Sequence, residues 1–327
     1  MKILITGSAG HLGEALMRTL AGSDHQAVGL DIKPSPFTQR IGSIVDRDFV
    51  KASMRKVDAV IHAATLHKPH VATHIRQDFI DTNITGTLNL LEEAASAGVR
   101  SFVYTSTTSV FGRALQPSDC APAAWITEDV TPVPKNIYGV TKLAAESLCE
   151  LFQYRMTLPC VVLRASRFFP EEDDDRNARQ SFDAANLKVN ELLYRRSDIE
   201  DMVRAHLLAV ERAAVIGFGR YIISATTPFT REDLHELRTD AAAVVRRYVP
   251  EFEAEYARRG WAMPKTIDRV YVNERARTEL GWCPRYDFRS AIRSLAAGED
   301  FRSSLARAVG LKGYHAVTFG DAPYPTD

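Results

Sequence analysis

Short apolar runs alternate along the first half of the chain with longer segments whose apolar side chains recur every three or four positions. The runs at 3–6, 27–31, 59–62, 102–106 and 160–164 have the length and Val/Ile/Leu content of strands, and the stretches at about 12–21, 49–54, 78–97 and 138–152 carry a helical period. These strands show little polar alternation, so both faces of each are expected to be buried. That requires helices on either side of a parallel sheet, an α/β doubly wound architecture. The punctuation agrees: Gly98 follows the long helical stretch, and Pro132 and Pro134 stand just before the helix that opens near Tyr138.

After Arg164 the rhythm breaks. The acidic run Glu171-Glu172-Asp173-Asp174-Asp175 has no apolar period and reads as a solvated loop, since crowded carboxylates repel unless a cation joins them. Beyond it the pattern predicts helices near 199–213, 231–247 and 274–280 and a strand near 221–224. These pieces are too scattered to make a sheet of their own. The expected organisation is a sheet domain over 1–166 and a smaller C-terminal lobe over 167–327, with the segment at about 199–224 returning to the main sheet.

Composition narrows the partners. The 41 Lys and Arg balance 41 Asp and Glu, so the chain lacks the broad basic field that nucleic acid or an anionic membrane surface would need. No apolar stretch approaches the roughly 20 residues of a membrane span. The start, Met1-Lys2-Ile3-Leu4-Ile5-Thr6-Gly7, passes straight from a short apolar run into a glycine turn, unlike a secretory leader. Cys120, Cys149, Cys160 and Cys283 are widely spaced with no C-x-x-C pair, so neither a zinc site nor a disulfide framework is indicated. The expectation is a reduced, cytoplasmic protein. His70 and His74 sit four apart as metal ligands can, but without a third ligand, and no metal is assigned.

Two stretches carry chemistry. Thr6-Gly7-Ser8-Ala9-Gly10-His11-Leu12-Gly13 follows the first strand and opens the first helix, the context a phosphate loop requires. Glycines 7, 10 and 13 allow a tight turn, close approach of backbone N–H groups to a pyrophosphate, and close packing of helix on sheet in a Rossmann unit. Asp31, at the end of the second strand, can accept from both hydroxyls of an adenosine ribose. A 2′-phosphate about 4 Å away would be repelled by on the order of 4 kcal/mol at an effective dielectric near 20, which favours NAD over NADP, although Lys33 nearby softens the discrimination. In the second stretch, Tyr138-Gly139-Val140-Thr141-Lys142 puts a phenol and an ammonium one turn apart on one helix face. A phenol of ordinary pKa near 10 is a poor base at neutral pH unless a cation favours its phenolate. Upstream, the strand at 102–106 runs into the hydroxyl cluster Ser106-Thr107-Thr108-Ser109 at the sheet edge where such folds bind ligands.

With these motifs in this order, the sequence resembles the extended short-chain dehydrogenase/reductases, in the NAD-dependent epimerase/dehydratase group that acts on sugars. The resemblance covers nearly the whole chain: the loop at 6–13, His62-Ala63-Ala64, Asn83-Ile84-Thr85-Gly86-Thr87-Leu88-Asn89, Val110-Phe111-Gly112, Tyr138 with Lys142, and Leu280-Gly281-Trp282-Cys283-Pro284. It implies catalysis by Thr107, Tyr138 and Lys142, with Asn83 bracing the site. It implies NAD binding by Gly7, Gly10, His11, Leu12, Gly13, Asp31, Ile32, Ser43, Ile44, Ala63 and Ala64, joined by Tyr138 and Lys142. Ser43 stands where the family usually has an adenine-contacting Asp. Dehydratases of the family carry Asp-Glu directly after the catalytic threonine, and here those positions are Thr108 and Ser109, which cannot ionise near neutral pH. That leaves epimerisation through a transient keto intermediate, or a dehydrogenase with net NADH turnover; a catalytically silent NAD sensor is the remaining alternative. The expected substrate is a sugar or sugar nucleotide resting against Thr107 and Thr108, with Arg167 and Arg196 as candidates for gripping an anionic group. Arg195 shares that candidacy, and Arg167 can equally be a surface arginine. Asp201 reads as a structural residue near a helix start. The resemblance also implies a homodimer.

Overall fold

The computed structural model describes residues 1–173 and 175–313. Its first half alternates strand and helix: β1 (Lys2–Thr6), α1 (His11–Leu20), β2 (Gln26–Asp31), β3 (Arg40–Ile41), α2 (Arg47–Ser53) and β4 (Ala59–His62). A long helix follows in two parts, α3 (Arg76–Ile80) and α4 (Gly86–Ser96), joined by one π turn at Asp81–Thr85. Then come β5 (Ser101–Thr107), β6 (Ala124–Ile126), α5 (Ile137–Met156) and β7 (Cys160–Ala165). Seven parallel strands, the last being β8 (Phe218–Ile223), form one sheet in the order β3-β2-β1-β4-β5-β7-β8. The order reverses between β1 and β4, and at such a switch point the strand ends open into a crevice.

Both faces of the sheet are covered because its strands are apolar on both sides. α1 and α8 (Ile199–Ile216) close one face around Ile5, Leu16, Val103, Met202 and Trp282. α2, α4 and α5 close the other around Leu4, Val60, Leu91, Phe102 and Cys149. A third core belongs to the C-terminal lobe, in which α6 (Arg176–Ser181) and α7 (Ala184–Glu191) precede α8. The lobe continues after β8 with α9 (Ala241–Tyr248), α10 (Phe252–Arg259), β9 (Arg269–Tyr271), α11 (Glu274–Glu279), α12 (Phe288–Ala296) and α13 (Ser304–Val309).

Three expectations need correction. The lobe does contain a small sheet: β9 pairs in parallel with β6, a strand borrowed from the segment between β5 and α5. The helix predicted over 231–247 is instead two 3₁₀ turns, Arg231–Asp233 and Glu236–Arg238, followed by α9. Asp233 closes the first turn by accepting from the Thr230 N–H at 2.8 Å, and Asp240 restarts the helix by accepting from the Ala243 N–H at 3.0 Å. The acidic run is a solvated loop only in part: Glu172 and Asp175 are exposed, but two of its carboxylates are buried. Glu171 and Asp173 are 9% and 6% exposed because His11 and two arginines meet them, and Asp175 caps α6; Asp174 lies outside the described residues. No described helix is long and apolar enough to cross a membrane.

Candidate active site

A cleft of about 1090 Å³ runs along the carboxyl ends of the strands. Its floor begins at the glycine loop. Gly7 has φ of +75° and lies so close to β4's continuation that a Cβ there would stand 2.7 Å from the Ala64 nitrogen. At Gly13 a Cβ would meet the Gly7 carbonyl oxygen at 2.0 Å, so the helix can start this near the turn only as glycine. Gly7, Gly10, His11, Leu12, Gly13, Asp31, Ile32, Ser43, Ile44, Ala63 and Ala64 all line the cleft. The Asp31 carboxylate is aimed by two backbone donors, the Ala9 N–H at 3.0 Å and the Lys33 N–H at 2.9 Å. This arrangement fits a dinucleotide: a helix N-terminus for the pyrophosphate and a fixed carboxylate for a ribose.

Further along the same cleft stand Thr107, Thr108, Ser109 and Tyr138. Thr107 ends β5, and its hydroxyl accepts from the Ser109 N–H at 3.1 Å. Tyr138 sits in the first turn of α5, which begins where the Asn136 side chain accepts from the Gly139 N–H at 3.1 Å. Burial pushes the Tyr138 phenol up to about 12, while the Thr107 hydroxyl beside it works in the opposite direction. Lys142 lies one turn on, beneath the cleft wall, with Nζ 4.1 Å from the centre of the Tyr104 ring. Burial lowers its pKa to about 7, against the pull of Glu146 and Cys149. Each charge alone is disfavoured there. A phenolate and an ammonium formed together offset one another, as paired titrating groups do.

Hydrogen bonds fix the frame behind these groups. The Thr6 hydroxyl accepts from Ala63 and Ala64 N–H at 3.2 and 3.1 Å, so its own proton goes to His62 Nδ1 at 2.7 Å. Thr87, whose hydroxyl donates to the Asn83 carbonyl at 2.7 Å, receives His62 Nε2–H at 3.0 Å. His62 is therefore a neutral ring, in keeping with burial and the Lys142 charge holding its pKa well below the usual histidine value. Asn83 lies in the π turn. Its Oδ1 accepts from Thr65 Oγ1 and Leu66 N–H, both at 2.9 Å, and its Nδ2 donates to the Leu66 carbonyl at 2.9 Å and to Thr141 Oγ1 at 3.0 Å. One amide thus ties the loop after β4 to the helix of Tyr138 and Lys142.

The candidate arginines part company. Arg167 lines the cleft but is paired with Asp173 and, at 3.1 Å, with Glu191. Arg195 also lines it and reaches Glu191 at 2.8 Å. Arg196 does not line it: the residue is buried, bonded to Glu191 at 2.7 Å and to the Phe169 carbonyl at 3.0 Å, so its charge is spent inside the lobe and the substrate role expected for it is withdrawn. Burial raises Glu191, but the charges of Arg167, Arg195 and Arg196 outweigh it and hold the carboxyl at about 2. Asp201 is structural as expected; it accepts from the Arg285 and Tyr286 N–H groups, at 2.8 and 2.9 Å.

Two groups beside the site escaped sequence reasoning. Glu146, fully buried one turn after Lys142, accepts from Ser106 Oγ at 2.5 Å and pairs with Arg164 at 2.8 Å. The signal was there: Arg164 is a charge directly after the run Cys160-Val161-Val162-Leu163 and inside the same predicted strand, and such a residue needs a buried partner. At the chain's other end, Glu171 accepts from the Lys312 and Gly313 N–H groups at 3.0 and 3.2 Å and meets His11 Nε2 at 2.7 Å, while Lys312 Nζ meets Glu14 at 2.5 Å. No local pattern joins residues so far apart.

Comparison with known proteins places this geometry. The family model described as NAD dependent epimerase/dehydratase family matches residues 3–223. An uncharacterized UDP-glucose epimerase of Bacillus subtilis (strain 168) is 29% identical over 185 residues, 50% of this chain and 55% of that protein, so the chain spans little more than half of that relative's length. The UDP-glucose 4-epimerase of Rhizobium leguminosarum bv. trifolii is 28% identical over 331 residues, 89% of this chain and 95% of that protein. The fold is shared with a short-chain dehydrogenase/reductase superfamily protein of Agrobacterium tumefaciens crystallised with bound NAD, at a TM-score of 0.64 and 24% identity over 94% of this chain and 97% of that one. A model that matches well over half of the sequence, on a seven-stranded parallel sheet carrying these motifs in order, assigns the chain to the NAD dependent epimerase/dehydratase family.

Proposed function

We propose that the protein is a nucleotide-sugar epimerase that retains NAD, oxidising one ring carbinol of its substrate to a ketone and reducing it again on the other face. The observation that carries this reading is the continuity of a single cleft, from the glycine loop and Asp31 at one end to Thr107 and Tyr138 at the other. In this reading the backbone around Gly7, Gly10 and Gly13 holds the pyrophosphate, Asp31 holds the adenosine ribose, and Ser43, Ile44, Ala63 and Ala64 wall the adenosine. Bound NAD supplies the site that accepts a hydride and gives it back.

The chain's own residues do the rest. Tyr138 takes the proton of the substrate hydroxyl and returns it, Thr107 hydrogen-bonds the same oxygen, and the Lys142 ammonium favours the phenolate while holding the nicotinamide ribose. Thr108 and Ser109 supply no ionisable group for removing water, which supports epimerisation over elimination. The residues after 166 contribute most of the sugar side, with Arg167 and Thr108 as contacts, and the protein works as a homodimer.

The test uses purified protein, its bound NAD measured after denaturation, and a panel of nucleotide sugars followed by NMR. Stereochemical inversion without NADH release is expected; steady NADH release replaces epimerase by dehydrogenase, and inertness across the panel leaves a binding protein. Tyr138→Phe is expected to lower turnover by about a thousandfold while bound NAD stays near the wild-type level. A variant that keeps most of its activity removes Tyr138 from the mechanism.

A further inference from the structure

The cleft changes character along its length. Toward β2 its wall carries the Asp31 carboxylate; around Tyr138 it carries cations that no described carboxylate answers. Arg269, on β9, lines the cleft there. Its Nη1 donates to the Gly112 carbonyl at 3.0 Å and its Nη2 to the Ala114 carbonyl at 2.7 Å, which fixes the guanidinium against the loop that follows Thr107, Thr108 and Ser109. Lys135 flanks the same stretch of wall: a Cβ on Gly112 would lie 2.7 Å from the Lys135 backbone nitrogen. Among the described residues neither cation has a carboxylate within ion-pair distance, whereas Arg167 and Arg195 are matched by Glu191 and Asp173.

We propose that this wall receives an anionic substituent carried on the substrate's sugar ring, a carboxylate in the first instance, and that Arg269 selects acidic sugars over their neutral counterparts. A guanidinium already held in plane by two carbonyls loses little further freedom on meeting a carboxylate, and charge-assisted bonds of this kind exceed neutral ones about twofold in strength. A hydroxymethyl group in the same place leaves both cations unmatched. The proposal rests on the reading above that the reacting ring carbon lies at Tyr138. A phosphate of the nucleotide presents similar charged oxygens, and the experiment separates the two sources.

Calorimetry on the NAD-loaded protein compares UDP-glucuronate, UDP-glucose and UDP alone. UDP-glucuronate is expected to bind at least about tenfold tighter than UDP-glucose, and Arg269→Met to bring that ratio to within about twofold. If the variant weakens all three ligands by one factor and leaves the ratio alone, Arg269 reads the nucleotide phosphates and the proposal falls; it falls equally if the wild type shows no preference for the acid. Should Arg269→Met not fold, the exposed Lys135→Gln reads the same ratio, with a drop of about threefold expected and an unchanged ratio overturning the proposal. Because the affinity ratio is read whether or not the ligand is turned over, an acid preference in a protein that inverts no sugar would overturn the proposed chemistry and leave this selection standing.

Discussion

Arg164 is the next-to-last residue of a strand buried on both faces, and its charge is tolerable because Glu146 accepts from both ends of its guanidinium. The same carboxylate receives the Ser106 hydroxyl, one residue before Thr107, so it fastens the carboxyl end of β5 to α5. Glu146→Gln leaves Arg164 buried without a counter-charge, and denaturant unfolding should show a loss of about 3–5 kcal/mol. A loss under about 1 kcal/mol would mean that the pair does not bear the strand's charge. At this scale the sequence was informative wherever a residue type was chemically forced: glycine at 7 and 13, a tyrosine and a lysine one turn apart. It was silent on Arg196, because nothing local distinguishes an arginine that reaches a cleft from one that turns inward to Glu191.

Helix α5 carries Tyr138, Lys142 and Glu146 at successive turns, so one rigid element sets the spacing of phenol, ammonium and carboxylate. Helix α8, on the opposite face of the sheet, carries a buried histidine instead. His206 accepts from the Thr105 hydroxyl at 2.9 Å and donates from Nδ1 to the Met202 carbonyl at 2.7 Å, a neutral ring whose pKa burial lowers to about 4. Its folded pKa lies below the unfolded value near 6.5, so the unfolded chain takes the proton first as pH falls. Its contribution is complete above about pH 6.5 and drains toward pH 4, reaching about 3 kcal/mol of lost stability. Asp201, which burial raises to about 6, pulls the other way over much of that window, since its folded form takes a proton more readily than the unfolded chain. Melting curves of the wild type and His206→Gln between pH 7 and 4.5 should therefore converge as pH falls; parallel curves would refute a neutral buried ring. Elements of this half were legible because parallel strands buried on both faces read as unbroken apolar runs. The 231–247 stretch was not, because Asp233 and Asp240 divide a run of good helix formers through side-chain bonds that periodicity does not register.

For the molecule as a whole, the face made by α5 and the long helix before β5 leaves apolar side chains in water: Val140, Leu151 and Tyr154 are 49%, 48% and 77% exposed, and Ile80 is 37% exposed. Such a stripe on a helix pair suits a two-fold interface. Sedimentation is expected to give a dimer and Leu151→Glu with Tyr154→Glu a monomer; a monomeric wild type would refute it. The C-terminal lobe was the part least readable in advance, since its small sheet pairs β6 with β9 across more than a hundred residues of chain. A similar long reach joins Lys312 and Gly313 to Glu14 and Glu171 beside His11. Lys312 and Gly313 also line the cleft together with Gly10 and His11. The far end of the described chain is thereby built into the same wall as the first helix, and cutting it back would strip Glu14 and Glu171 of partners beside the glycine loop.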